Sequence, residues 1–313
     1  MEAERDRLQG LADRNEPLEK KRTETFGEYS AGWLKRRKPT LKGYEISKGH
    51  VTKALNPTFG DISLDSITVA DVNRWIGNQS ADLASATVKR QLSTFNSIMN
   101  EAVREGVISE NPSQKAKHVR AGEERQRFVT ADEWQRILDT CDEIEKVQEE
   151  RRELMPQEKR GWLKHFVSWA YNSGMRRAEI LALRFENIRE IAPEHVVVEV
   201  RNSKNGKSRY VTCTAEMRTI LTALRELPRE ADDTRLFPVS MTTLKRSLSH
   251  LWKATGLEDI RLHDLRRSHA TILVQKGIDV RTVAGRLGHT GTGMLAKHYA
   301  VDRGDQEAAE AFG

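Results

Sequence analysis

The sequence predicts a mainly α-helical protein with one small antiparallel β-sheet in its C-terminal domain. Apolar residues recur at helical spacing along most of the chain. A β-branched run followed by a turn signal occurs around residues 195–214 and is typical of a hairpin. The polar and basic segment 112–128 has almost nothing to bury and predicts a linker, so the 313 residues are expected to form two domains.

The first domain, about residues 25–118, is predicted to hold four helices behind a charged tail at residues 1–24. Helix starts are indicated where a polar residue or a proline precedes apolar residues at helical spacing. The expected starts lie near Thr25, Thr40, Thr68 and Ser85. The second of these helices should end before Asn56-Pro57, because the residue before a proline disfavours the helical conformation.

The second domain, about residues 127–313, is predicted to begin with a helix capped by Thr130, with Glu133 in a capping box. The segment 162–173 is apolar and aromatic and is expected to be buried, and the chain is helical in pattern after Ala215. The sheet is expected to consist of His195–Val200, a turn at Asn205-Gly206 and a return strand at Arg209–Thr214.

The net charge of +6 and the pI of about 9.3 favour polyanionic partners, nucleic acid above all. Cys141 and Cys213 are far apart and predict neither a disulfide framework nor a zinc site. No spacing of metal ligands occurs, so no metal and no cofactor are expected. The chain lacks a long apolar run and a signal-peptide pattern, which predicts a cytoplasmic protein without a membrane partner.

Two arginines are the first candidates for a functional site. Arg176 follows Ser173-Gly174-Met175 at a tight turn before a helix, and Glu179 three residues later is placed to hold it. Arg266 shares a helix face with His263 at the i, i+3 spacing. A guanidinium donates two parallel hydrogen bonds to a phosphate and stays charged, so this pair of arginines predicts a clamp on a phosphodiester.

Three further residues supply the chemistry that a phosphodiester requires. The Tyr299 phenol is a candidate nucleophile, provided that nearby positive charge or a base helps its proton to leave. Lys204, before the hairpin turn, is a candidate proton donor to a leaving oxygen, with Lys207 as a close competitor. His289 follows Leu287-Gly288, where the glycine is placed to end a helix.

Each of these signals, taken alone, has an ordinary structural interpretation. Arg176 with Glu179 is also the pattern of a surface ion pair, and His263 with Arg266 that of a solvated basic helix face. His289 fits a capping or core histidine, and Tyr299 a core tyrosine. The order, spacing and context of the whole set are what favour a catalytic site.

The boxes around these residues resemble those of the tyrosine recombinase (phage integrase) family. The resemblance extends over the chain from about residue 25 and is most specific in 171–188, 203–212 and 261–300. It implies a two-domain, C-shaped clamp on DNA, with a helical core-binding domain and a mixed α/β catalytic domain. The catalytic residues that it implies are Arg176, Lys204, His263, Arg266 and His289, with Glu179 in support and Tyr299 as the nucleophile.

The resemblance further implies double-stranded DNA sites as substrate, a 3′-phosphotyrosyl intermediate, a homotetramer on DNA and a nucleoid-associated location, with an accessory DNA-bending or directionality factor as an optional partner. A type IB topoisomerase and a DNA-binding protein that has lost catalysis stay open as alternatives. The segment 300–313 either docks on a neighbouring subunit or is a disordered tail. Neither the target site nor the choice between integration, excision and dimer resolution is readable from the sequence.

Overall fold

The computed structural model describes residues 24–41, 43–119, 127–150, 161–201, 208–227, 229 and 232–289. The chain divides into two compact units, Met1–Glu124 and Arg125–Gly313. Within the described ranges, no helix combines the length and the apolar character needed to cross a membrane. The tails at 1–23 and 300–313 and the turn Asn205-Gly206, for which the sequence makes predictions, lie outside these ranges.

The first unit is built mainly of helices. A π-helical turn, Val51–Leu55, joins the second helix to the third, and a 3-10 turn, Leu64–Ser66, precedes the fourth. The helices are α1 (Phe26–Arg37), α2 (Tyr44–His50), α3 (Asn56–Phe59), α4 (Val69–Asp82) and α5 (Ser85–Arg104).

Helices α1 and α4 begin with capping boxes at Thr25 and Thr68, where the sequence predicts helix starts. The backbone N–H of Thr25 donates to Glu28 Oε2 at 2.9 Å, and the N–H of Glu28 donates to Thr25 Oγ1 at 3.2 Å. Thr68 and Asp71 exchange the same pair of bonds. Each cap satisfies helix N–H groups that otherwise lack a partner, which stabilises the fold by about 1 kcal/mol.

An aromatic cluster forms the core of the first unit. The Phe59 and Phe95 ring centroids lie 4.9 Å apart, and those of Phe26 and Phe95 lie 5.4 Å apart. Trp75 on α4 is buried, and its Nε1 donates to the carbonyl of Ala54 at 3.0 Å. The cluster therefore ties α1, α3, α4 and α5 together.

The predicted end of the second helix before Asn56-Pro57 is wrong. Asn56 keeps right-handed helical angles, φ −59° and ψ −36°, although a proline follows it. The π-helical turn accommodates this, because the N–H of Asn56 bonds to the carbonyl of Val51. Pro57 then lies in the first turn of α3, where its missing N–H costs nothing. The helix also begins at Tyr44 rather than near Thr40.

Residues 112–119 pack onto the first unit, although the sequence predicts that 112–128 has almost nothing to bury. Val119 is 8% exposed and joins the apolar core of the unit. Polar groups here are bonded to the unit: the N–H of Ser113 donates to Asn111 Oδ1 at 3.0 Å, and the N–H of Lys117 donates to Asn73 Oδ1 on α4 at 2.7 Å. Polar composition alone cannot distinguish a hydrogen-bonded segment from a linker.

The second unit is also mainly helical and contains the sheet. This architecture, helices with one small antiparallel sheet, confirms the predicted fold class. Its elements are α6 (Ala131–Glu150), α7 (Leu163–Ser173), α8 (Arg177–Ala182), β1 (Ile188–Ala192), β2 (His195–Val200), β3 (Arg209–Thr212), α9 (Ala215–Glu226), α10 (Met241–Ala254), α11 (Leu262–Gln275) and α12 (Val280–Leu287).

The sheet has three antiparallel strands in the order β1-β2-β3, one more than the sequence predicts. The predicted hairpin partners are correct, with Val200 opposite Arg209, although β3 ends at Thr212. The unpredicted strand, β1, places Ile188 opposite Val198. It is mostly exposed, so it carries no alternation of apolar and polar residues by which a strand is recognised.

Helix α7 runs through the core of the second unit, as its apolar sequence predicts. Phe166, Val167 and Trp169 are fully buried, and the Phe166 ring contacts that of Phe237 with centroids 5.1 Å apart. Helix α7 packs against α9 and α11. This packing brings the C-terminal end of α7, at Gly174, beside α11.

Candidate active site

Five of the seven predicted site residues lie in the described part of the chain, and all five are at one site in the second unit. They belong to three elements: the start of α8, the helix α11 and the end of α12. Lys204 and Tyr299 are outside the described residues. The five are Arg176, Glu179, His263, Arg266 and His289.

Arg176 lies at the N-cap of α8, directly after the turn that ends α7. Gly174 makes this turn with φ +62°, a left-handed conformation that favours glycine. Glu179 holds Arg176 at two points: Oε2 accepts from the Arg176 backbone N–H at 2.8 Å, and Oε1 accepts from Nη1 at 2.9 Å. Arg176 Nη2 also donates to the carbonyl of Gly288 at 3.2 Å.

Arg209 is a site residue that the sequence reasoning missed. It is the first residue of β3, and its guanidinium donates to both oxygens of Glu179, from Nη1 at 3.1 Å and from Nη2 at 2.8 Å. Only 10% of the Arg209 side chain and 5% of the Glu179 side chain are exposed. The sequence shows that Arg209 follows the turn that contains Lys204 and Lys207. Nothing in the sequence indicates that Arg209 pairs with Glu179.

The two arginines determine the charge state of Glu179. Burial raises the pKa of this carboxyl group, but the hydrogen bonds and charges of Arg209 and Arg176 outweigh burial and lower the pKa to about 2. Glu179 is therefore ionised at every pH at which the protein is expected to work.

Arg266 on α11 is buried, with 4% exposed, and bonds to the ends of two other helices. Nη1 donates to the carbonyl of Gly174 at 2.6 Å, after α7, and Nη2 donates to the carbonyl of Leu287 at 2.7 Å, at the end of α12. Nη2 also lies 2.8 Å from His289 Nε2. The guanidinium thus joins the turn before Arg176 to the segment that carries His289.

His289 follows a Schellman motif at the end of α12, which the Leu287-Gly288-His289 sequence specifies. Gly288 has φ +66°, its N–H bonds to the carbonyl of Gly285, and the N–H of His289 bonds to the carbonyl of Ala284. An arginine can only donate, so His289 Nε2 accepts from Arg266 and the neutral ring carries its proton on Nδ1. Among the described residues, this buried Nδ1 has no hydrogen-bond partner.

His263 lies one turn before Arg266 on α11, and its side chain is exposed. Desolvation by the surrounding protein, followed by the charges of Arg266 and Arg267, lowers its pKa. A neutral, accessible imidazole next to guanidinium groups is suited to accept a proton.

A second arginine and histidine pair lies behind the site. Arg286 Nε donates to His269 Nε2 at 3.0 Å, and its Nη1 and Nη2 donate to the carbonyls of Thr212 and Asn172 at 3.1 and 3.3 Å. Helix α12 is thereby tied to α11, β3 and α7. His269 itself is buried, with 8% exposed.

Buried His269 makes the stability of the second unit depend on pH. Burial, and then the charge of Arg286, lowers the pKa of His269 to about 4, so the folded protein keeps it neutral. The unfolded chain binds a proton below about pH 6.5, so the stabilisation is complete above that pH and is lost as the pH falls towards 4. We expect the free energy of unfolding to drop by roughly 2 kcal/mol between pH 6.5 and 4.5 from His269.

Urea unfolding of the wild type and of His269→Gln over this pH range measures that contribution. In His269→Gln, the free energy of unfolding should fall less over this pH range than in the wild type, by about the His269 contribution. If the free energies of unfolding of the two proteins fell in parallel with pH, the role given to His269 would be contradicted.

Gly174→Ala should destabilise the second unit by about 2–4 kcal/mol. The positive φ strains an alanine, and a Cβ would lie 2.6 Å from His269 Cδ2 and 2.7 Å from Leu287 Cδ2. Gly256→Ala is the matched control, because Gly256 has φ +68° and no heavy atom within 4 Å of a Cβ. The control should cost only about 1 kcal/mol in a thermal or urea unfolding experiment. Equal costs for the two variants would mean that the packing around Gly174 is not as described.

The site is suited to bind an anion. Arg176, Arg209 and Arg266 carry three positive charges against the one negative charge of Glu179, which leaves a positive surplus beside the Nδ1–H of His289. In the described ranges, no group of three or more His, Cys, Asp or Glu side chains is arranged to hold a metal ion.

Comparison with protein families gives two matches along the chain. Residues 127–304 match the phage integrase family, and residues 23–119 match the phage integrase SAM-like domain. The two matches correspond to the two compact units.

Individual proteins show the same similarity. A tyrosine recombinase of Thermosipho africanus is 27% identical over 300 residues, which cover 92% of this chain and 97% of that protein. The XerH site-specific recombinase in a post-cleavage complex with a palindromic difH substrate aligns with a TM-score of 0.71 at 20% identity, over 89% of this chain and 82% of XerH. A lambda integrase tetramer bound to a Holliday junction aligns with a TM-score of 0.68 at 20% identity, over 89% of this chain and 78% of the integrase.

Proposed function

Because the chain belongs to the phage integrase family and is a tyrosine-type site-specific recombinase, we propose that it cuts and rejoins double-stranded DNA through a 3′-phosphotyrosyl intermediate on Tyr299. The observation that carries this mechanism is the convergence of Arg176, Arg266 and His289 at one site in the second unit. This group supplies hydrogen-bond donors and positive charge to a phosphodiester.

In this proposal, the two arginines bind the non-bridging oxygens of the scissile phosphate. Glu179 orients Arg176, and the carbonyls of Gly174 and Leu287 orient Arg266. Both guanidinium groups are held by the protein before DNA arrives, so little reorganisation is needed when charge develops in the transition state. The Nδ1–H of His289, which has no partner among the described residues, is available as a further donor to the same phosphate.

The cleavage step is a transesterification at phosphorus, and it needs two proton transfers. Tyr299 Oη attacks the phosphorus and loses its proton with the assistance of His263, while the bond from phosphorus to the 5′-oxygen breaks. Lys204 gives a proton to that 5′-oxygen, which leaves as a hydroxyl group. The energy of the phosphodiester is kept in the phosphotyrosyl ester, so a 5′-hydroxyl from another strand can reverse the step and rejoin DNA. The scheme uses neither a nucleotide nor a metal ion.

The partners follow from the same proposal. The helical first unit binds the duplex, the basic segment 112–128 runs along the DNA backbone, and four copies of the chain exchange strands between two sites. The net charge of +6 favours this association and makes it sensitive to salt. An accessory DNA-bending or directionality factor and a nucleoid-associated, cytoplasmic location complete the expected setting.

Nicked suicide substrates test the proposal. Duplexes tiled across the DNA that flanks the gene are incubated with the protein in EDTA and separated on denaturing gels, since a nick near the cleavage site lets the cleaved fragment diffuse away and traps the intermediate. A covalent protein–DNA adduct at one position is the expected result. Binding without an adduct on any of the duplexes would contradict the proposed chemistry.

A further inference from the structure

We propose that Arg209 is a positioning residue for the cleavage reaction, which keeps Arg176 available to the DNA phosphate by neutralising Glu179. This inference rests on the proposed function. Nε, Nη1 and Nη2 of Arg209 each donate to an acceptor of the protein itself, and the inference is that Arg209 acts on the phosphate through these neighbours.

The first part of the argument is the way in which Glu179 is shared. Oε1 accepts from Arg176 Nη1 at 2.9 Å and from Arg209 Nη1 at 3.1 Å, whereas Oε2 accepts from the Arg176 backbone and from Arg209 Nη2. Arg209 therefore forms the fork that grips both oxygens, and the Arg176 side chain makes a single bond to the carboxylate. Arg176 Nη2 is turned away from Glu179 and donates to the carbonyl of Gly288.

The second part is charge. A buried carboxylate with a single guanidinium partner forms a neutral pair, and its attraction for that partner is strong where water is excluded. Without Arg209, Arg176 would be that single partner, and its positive charge would be spent on Glu179 rather than on the phosphate. With Arg209 present, the group formed by Arg176, Arg209 and Glu179 retains a net charge of about +1.

The third part is the position of Arg209 against the end of α12. Arg209 Nε donates to the carbonyl of Arg286 at 2.9 Å. Gly288 lies so close that a Cβ there would be 2.8 Å from Arg209 Nη1. The carbonyl of Gly288 accepts a hydrogen bond from Arg176, and the next residue is His289. Arg209 therefore also supports the segment that contacts Arg176 and carries His289.

A double-mutant cycle tests the inference, with Arg209→Met, Glu179→Gln and the combination of both. The readout is the single-turnover rate of adduct formation on the nicked duplex that traps wild-type protein, alongside DNA affinity and an unfolding curve for each variant. Arg225→Met is the matched control, because Arg225 pairs with Glu190 at 3.0 Å on the surface of the same unit, where both side chains are more than half exposed. If Arg209→Met fails to fold, Arg209→Gln replaces it, since glutamine removes the charge but keeps a hydrogen-bond donor for Glu179.

We expect Arg209→Met to slow adduct formation by about 100-fold with DNA affinity unchanged, by analogy with the loss of one transition-state donor. The added Glu179→Gln change should restore at least about tenfold of that rate, because no carboxylate then competes for Arg176. A purely structural role would not produce this rescue, since the double variant removes more of the native bonding than the single one.

Two results would overturn the inference: Arg209→Met as fast as the wild type, or a double variant no faster than Arg209→Met. Absence of an adduct with the wild-type protein would instead overturn the proposed function, so the two failures are distinguishable. The Arg225→Met control should match the wild type, and a comparable loss there would also count against a specific role of Arg209.

Discussion

Arg266→Lys is expected to slow DNA cleavage by roughly 100- to 1000-fold while leaving DNA affinity nearly unchanged. Lysine keeps the positive charge, but its single nitrogen cannot occupy both Nη positions, from which Arg266 donates to the carbonyls of Gly174 and Leu287 and to His289 Nε2. The two helix ends that carry Arg176 and His289 would therefore lose their common anchor. The measurement is the single-turnover rate of adduct formation, with affinity determined separately by gel shift.

Arg246→Lys is the matched control, because Arg246 is exposed on α10. It should cleave at the rate of the wild type. If Arg266→Lys did the same, the guanidinium geometry described here would have no part in catalysis. If it lost DNA affinity in proportion to rate, Arg266 would act in binding rather than in the transition state.

Tyr299→Phe should bind DNA with the affinity of the wild type and form no detectable covalent adduct. The substitution keeps the aromatic ring and removes only the oxygen that is proposed to attack phosphorus, so the proposed mechanism is left without its nucleophile. The measurement is again the denaturing gel with nicked duplexes, run beside a gel shift under native conditions.

Tyr210→Phe serves as the control for Tyr299→Phe. Tyr210 lies on β3 and is 56% exposed. Among the described residues of the second unit, it is the exposed tyrosine, so it must be excluded as the nucleophile. This variant should retain attachment. Residual adduct in Tyr299→Phe, or its loss in Tyr210→Phe, would contradict the assignment.

The features that the sequence predicted correctly depend on local chemistry. Thr25 and Thr68 cap helices through side-chain bonds to residues three positions on, and Gly288 ends α12 with the conformation that glycine allows. Strand pairing around Val200 and Arg209 follows from a short connection with a turn signal. In each case, the residues that determine the structure are neighbours along the chain.

The features that the sequence failed to predict depend on distant residues. Asn56 stays helical before a proline because a π-helical turn and the packing of Phe59 outweigh a local preference. Arg209 is linked to Glu179 across 30 positions, and Arg266 to Gly174 across 92. A periodic pattern carries no information on such pairs. The sequence therefore gives the list of candidate side chains, and the structure gives the bonds that orient those it describes.

Peptide mapping of the trapped adduct tests the central claim most directly. The adduct formed by wild-type protein on an end-labelled nicked duplex is digested with nuclease and protease, and the peptide that retains a nucleotide is sequenced by mass spectrometry. The account predicts one modified peptide, with the nucleotide joined through its 3′-phosphate to Tyr299 and a free 5′-hydroxyl on the released strand. A nucleotide on any other residue, or attachment through a 5′-phosphate, would contradict it.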